Sequence, residues 1–185
     1  MGGFTMKKRL TSLFLVVVIL LLSMMFPINN YVEASAGNEL RNAEAFSGKN
    51  NYHSNARYLI STYYPQHEAA YRNAVNKMNA VSGANIRLVS GSSPNINMRS
   101  INSSNYSWYG HASWNSNSAL LRLNNYTTSG ANFTAANYNK TAMHELGHAF
   151  YMKHQHSSVN SVLKSGKYSY NDYTSLDKSN LAFRY

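Results

Sequence analysis

The chain has 185 residues, no cysteine, 17 Lys and Arg against 7 Asp and Glu, and a formal net charge of +10. The lack of cysteine excludes disulfide staples and excludes a zinc site held latent by a propeptide thiol, so stability falls to the core and to any bound metal. The positive charge draws the protein to anionic surfaces, polymers or substrates in a salt-dependent way, with plain solubility as the bland alternative and no feature calling for a specific nucleic acid.

Lys7, Lys8 and Arg9 precede an apolar run from Leu10 to Phe26 that Pro27 ends, and Ala34-Ser35-Ala36 places small residues where a signal peptidase reads. Residues 1–36 are expected to be a secretory signal peptide, with an uncleaved membrane anchor as the alternative. The expected location is extracellular, with no membrane partner after cleavage and with an anionic cell-wall polymer as a partner to test. Three of the basic residues and one acidic residue fall in that stretch, so the remaining 149 residues carry 14 against 6, a net charge of +8. That length suits one compact domain that buries roughly two-thirds of its unfolded surface.

Residues 37–52 are polar without an apolar period and are expected to be a flexible lead or short prosegment, followed by a domain over 53–185. Tyr58, Leu59, Ile60 and the aromatic residues after them predict a first strand that Pro65 stops. Ala70, Ala74, Val75, Met78 and Val81 recur at helical spacing over 66–81, and Ser82-Gly83 ends the run. Ile86, Leu88 and Val89 predict a short strand, and Ile96, Met98 and Ile101 another, so strand, helix and strand suggest a parallel pair with a helical crossover. Residues 103–117 read as irregular and partly extended, with Trp108, Tyr109 and Trp114 expected to pack in the core or sheet rather than touch substrate. Ala119 to Leu123 predicts a strand, and Tyr126 to Phe133 a loop. Thr134 or Asn137 can then cap a helix.

That helix carries the chemistry, in the run Thr141 to His156, TAMHELGHAFYMKHQH. Residues four apart share a helix face, so His144 and His148 can point at one metal ion with Glu145 beside them, while Ala142, Leu146 and Ala149 form the packing stripe. Zinc favours neutral imidazole nitrogen, and three protein ligands with one open position make a catalytic site rather than a structural one. Such a site holds a water of lowered pKa, with Glu145 as general base and later proton donor. No glutamate follows Glu145, and Asp172 and Asp177 are the only later aspartates. His154 is therefore the leading third ligand and His156 the backup.

The spacing of His144, Glu145, His148 and His154 is similar to the metzincin pattern His-Glu-x-x-His-x-x-Gly-x-x-His followed by a Met-turn. The mature chain from about Tyr58 onward resembles the metzincins, most closely a minimal matrixin-like secreted form. The resemblance implies an α+β domain: a twisted mixed sheet with a backing helix, an active-site helix and a closing helix near Leu176 to Tyr185. It also implies one catalytic zinc on His144, His148 and His154, and a cleft where a protein or peptide substrate lies extended along an edge strand within Tyr109 to Trp114. Two positions depart from the pattern. Tyr151 stands where the family has a glycine at positive φ, which means either a changed turn or a strained one at a cost of about 1–2 kcal/mol. Ser161-Val162-Leu163 resembles the Met-turn with Leu163 in place of methionine, a swap that conserves volume. Ser165 occupies the place of an extra tyrosine ligand found in some relatives, and Tyr168 and Tyr170 nearby are given no role.

The expected function is a secreted zinc metalloendopeptidase with Glu145 as catalytic base. The alternatives are a catalytically weakened metzincin-like protein and a basic module for anionic wall polymer. With acidic clusters missing from the loops, no high-affinity structural calcium is expected.

Overall fold

The structure is a computed structural model that describes residues 38–185. The signal peptide expected over residues 1–36 lies outside the described residues. Among the described residues no helix is long and apolar enough to cross a membrane.

Five strands form one mixed sheet with the order β2-β1-β3-β5-β4. They are β1 (Ala56–Ser61), β2 (Leu88–Ser90), β3 (Ile96–Ile101), β4 (Gly110–Trp114) and β5 (Ala119–Asn124). β1 runs parallel to β2 and β3, β3 runs parallel to β5, and β4 closes one edge antiparallel to β5. The β1 to β2 connection is the anticipated crossover, made by α1 (Pro65–Asn79). Proline starts that helix at a position whose N–H has no intrahelical partner. His67, Ala70, Tyr71, Ala74, Val75 and Met78 form its buried face.

α1 packs along the long helix α3 (Ala135–Ala149), and α3 in turn lies against β4 and β5. Strand alternation supplies the other side of the core: Ile96 and Met98 of β3 and Leu121 and Leu123 of β5 are fully buried. With the closing helix α4 (Ser175–Arg184) this is an α+β domain built around a mixed sheet.

Two stretches differ from expectation. Within the span anticipated as a loop, Asn125–Gly130 forms a short helix, α2. Its Thr and Ser composition hides the cause, which is Asn124 at the end of β5: the side-chain oxygen accepts from Tyr126 N at 3.3 Å, and the backbone carbonyl accepts from Thr128 Oγ1 at 2.9 Å. Residues 38–52, within the stretch anticipated as a flexible lead or short prosegment, are packed rather than flexible. Asn42–Ala45 is a 3-10 turn, and Ala45, Phe46, Asn50 and Tyr52 are buried. The contacts that hold this strap come from residues about a hundred positions later, so local composition gives no sign of them.

Candidate metal centre and cleft

Thr134 caps α3 with a reciprocal box: Asn137 N donates to Thr134 Oγ1, and Thr134 N donates to Asn137 Oδ1. Thr134 and Asn137 thus act together rather than as alternatives. The helix is buried through most of its length, which holds its side-chain directions rigidly.

The geometry brings three of the anticipated residues to one point. The Nε2 atoms of His144, His148 and His154 lie 3.0–3.1 Å from one another. His144 Nδ1–H donates to the Val162 carbonyl at 2.9 Å, and His148 Nδ1–H donates to the Met152 carbonyl at 2.7 Å. Those bonds place the ring proton on Nδ1 and leave the Nε2 lone pair facing inward. Two such lone pairs 3.1 Å apart cannot bond to each other, whereas a cation about 2 Å from all three nitrogens satisfies them. The donor set therefore fits a metal ion, and three neutral imidazoles are compatible with zinc. Burial holds the imidazoles neutral, with His144 well below its ordinary value and His148 down at about 4, the neighbouring Lys140 and histidines adding to the shift.

The other candidates lie elsewhere. His156 is exposed and pairs with Ser158 Oγ at 2.8 Å. Asp172 forms ion pairs with Lys178 and Lys77. Asp177 accepts from Ser161 Oγ at 2.5 Å and from Val162 N at 2.9 Å, so it pins the turn whose carbonyl orients His144. Leu163, in that turn, is fully buried. Tyr168 and Tyr170 take the Lys164 ammonium over their rings.

Glu145 lines the same cavity of about 520 Å³ as the three histidines, along with Trp108, Gly110 and Trp114. Burial pushes its carboxyl up to about 8, opposed by Lys140 and by a hydrogen bond with the Ala112 backbone. Glycine at position 110 lets β4 lie directly on this carboxylate, since a Cβ there would come within 2.6 Å of Glu145 Oε1. β4 is the edge strand that borders the cleft.

Several residues of the site were not singled out from sequence. Lys140 is buried one turn before His144, and its Nζ donates to the Lys164 and Gly166 carbonyls at 2.6 and 3.1 Å, clasping the opposite wall. Its place four residues ahead of His144 on one helix face was the available signal. Desolvation lowers it to about 8. Trp114 is 37% exposed and lies parallel to the His148 ring, with centroids 5.3 Å apart. Packing in the core or sheet was expected for the tryptophans; both line the cleft, Trp114 from the edge strand β4 and Trp108 from the segment just before it, and neither belongs to the buried core.

Tyr151 resolves the question at the end of α3. The turn is kept and the residue is strained: φ is 62°, with Tyr151 N bonded to His148 O at 2.8 Å and Met152 N to Gly147 O at 3.0 Å. This is a Schellman turn with tyrosine at the position that glycine usually takes.

No family model and no curated protein matches the chain. Among solved structures it is similar to myroilysin at 13% identity and a TM-score of 0.47, over 75% of this chain and 96% of that one. It is also similar to the GM1-bound form of the ECX AB5 holotoxin, at 16% identity and a TM-score of 0.38, over 74% of each chain. Likenesses this distant assign neither a family nor a function.

Proposed function

We propose that the protein is a zinc-dependent endopeptidase of metzincin, matrixin-like type, exported if residues 1–36 act as a signal peptide. The observation that carries this reading is the convergence of three Nε2 atoms within 3.1 Å in a cleft that Glu145 also lines.

His144, His148 and His154 would hold the ion, and bound zinc supplies Lewis acidity that activates water and polarises a peptide carbonyl beside it. Glu145 takes a proton from the attacking water as its oxygen bonds to the carbonyl carbon. When the C–N bond breaks, Glu145 passes that proton to the leaving amine. A bound cation beside it favours the carboxylate, the form that accepts the proton. An extended substrate can add to the outer edge of β4 through main-chain hydrogen bonds, which calls for little sequence preference.

The alternative of a weakened site was motivated by Tyr151 and Leu163. The retained turn at Tyr151 and the buried Leu163 support a working site instead. The test is cleavage of casein by the zinc-loaded protein beside a Glu145→Ala variant of equal zinc content. The variant should lose activity by roughly a thousandfold. Wild-type hydrolysis no greater than that of the variant defeats the proposal.

A further inference from the structure

Residues 40–52 hold the loop that carries the third histidine. Leu40 and the Gln155 side chain exchange two hydrogen bonds, of 2.8 and 2.7 Å, one residue past His154. Phe46 and Met152 form a β-bridge flanked by Ser47 N to Tyr151 O at 2.9 Å and Lys153 N to Ala45 O at 2.8 Å. Asn50 Nδ2 and the Tyr52 hydroxyl both donate to the Ala149 carbonyl, each at 2.9 Å. The six bonds end on Ala149, Tyr151, Lys153 and Gln155, around the Met152 carbonyl that orients His148 and the His154 ligand itself.

At the centre of this contact the Tyr151 ring lies on the backbone of Gly48, where a Cβ would meet Tyr151 Cδ1 at 2.6 Å and Cε1 at 2.7 Å. Another neighbour of that ring is Trp114, edge-on at 6.3 Å, and Trp114 stacks on His148. A tyrosine at positive φ persists only where surrounding contacts over-determine it, and the strap supplies those contacts.

Resting on the reading that the triad holds a metal, we propose that the N-terminal strap is part of the metal centre, with Gly48 and Tyr151 a matched pair that positions His148 and His154. On this account residues 38–52 are scaffold and not a removable inhibitor. Gly48 and Tyr151 touch neither metal nor substrate and act through the two ligands. A side chain at position 48 should push the Tyr151 ring and the turn beneath it, and removing the ring should relieve the push.

Zinc affinity of the whole chain, measured by competition with a chromophoric chelator, tests this directly. Gly48→Ala should weaken binding by about 10–100-fold, the range for loss of an outer partner of a ligand, and should alter the visible bands of the cobalt-loaded protein. Tyr151→Gly combined with Gly48→Ala should return the affinity to within about threefold of Tyr151→Gly alone. Wild-type affinity in Gly48→Ala overturns the proposal, and so does a double variant no tighter than Gly48→Ala. A wild-type chain that binds no zinc would instead bring down the metal-site reading on which the proposal stands.

Discussion

Tyr151 holds a backbone angle that costs a non-glycine residue about 1–2 kcal/mol, yet its turn aims the Met152 carbonyl at His148. The centre thus depends on a conformation that side-chain chemistry alone disfavours. At this scale the ligand set is separable. His154→Ala should weaken zinc binding by more than the roughly 10–100-fold typical of an outer partner, and His156→Ala should leave it unchanged. Equilibrium dialysis against zinc checks both, and equal losses would move the third ligand away from His154. Asp177 is a second leverage point, since it accepts bonds from Ser161, Val162 and the Thr174 cap, and it is fully buried. Asp177→Ala strands those donors and should lower stability by about 2–4 kcal/mol, or roughly 5–15 °C in Tm by calorimetry.

α1 contributes a pH response through His67, which is buried between Tyr64 and Tyr138 with Nδ1 2.7 Å from Ser100 Oγ. Burial lowers its pKa from 6.5 to about 4. The unfolded chain therefore takes up a proton before the folded one does. The stability tied to a neutral His67 is whole above about pH 6.5 and drains away as pH falls towards 4. Unfolding in urea across that window should show a loss that is smaller in His67→Asn by an amount on the order of 2 kcal/mol, the rest coming from His144 and His148, which burial also lowers. A parallel pair of curves would contradict it. Elements with a strong local period were legible in the sequence: α1, α3 and the strands of the parallel core follow from apolar spacing, and the histidine pair follows from four-residue helical geometry. α2 was not legible, because its cap sits in the preceding strand. The strap was not legible either, because Leu40, Asn50 and Tyr52 find their partners in residues 149–155, far away in the chain.

Over the whole molecule, a net charge of +10 acts through screened, long-range attraction and is independent of the chemistry in the cleft. Retention on an anionic matrix should fall steeply with salt and should be the same for Glu145→Ala as for wild type. Loss of retention in that variant would tie the charge to the site. The core, the cap of α3 and the strap all converge on one requirement, that three imidazole nitrogens meet at one point. X-ray absorption at the zinc edge of the loaded protein reads that arrangement directly. The expected spectrum has three imidazole nitrogens and one oxygen at about 2 Å, falling to two imidazoles in His154→Ala. Two imidazoles in the wild type, or a protein that retains no zinc, would contradict the account.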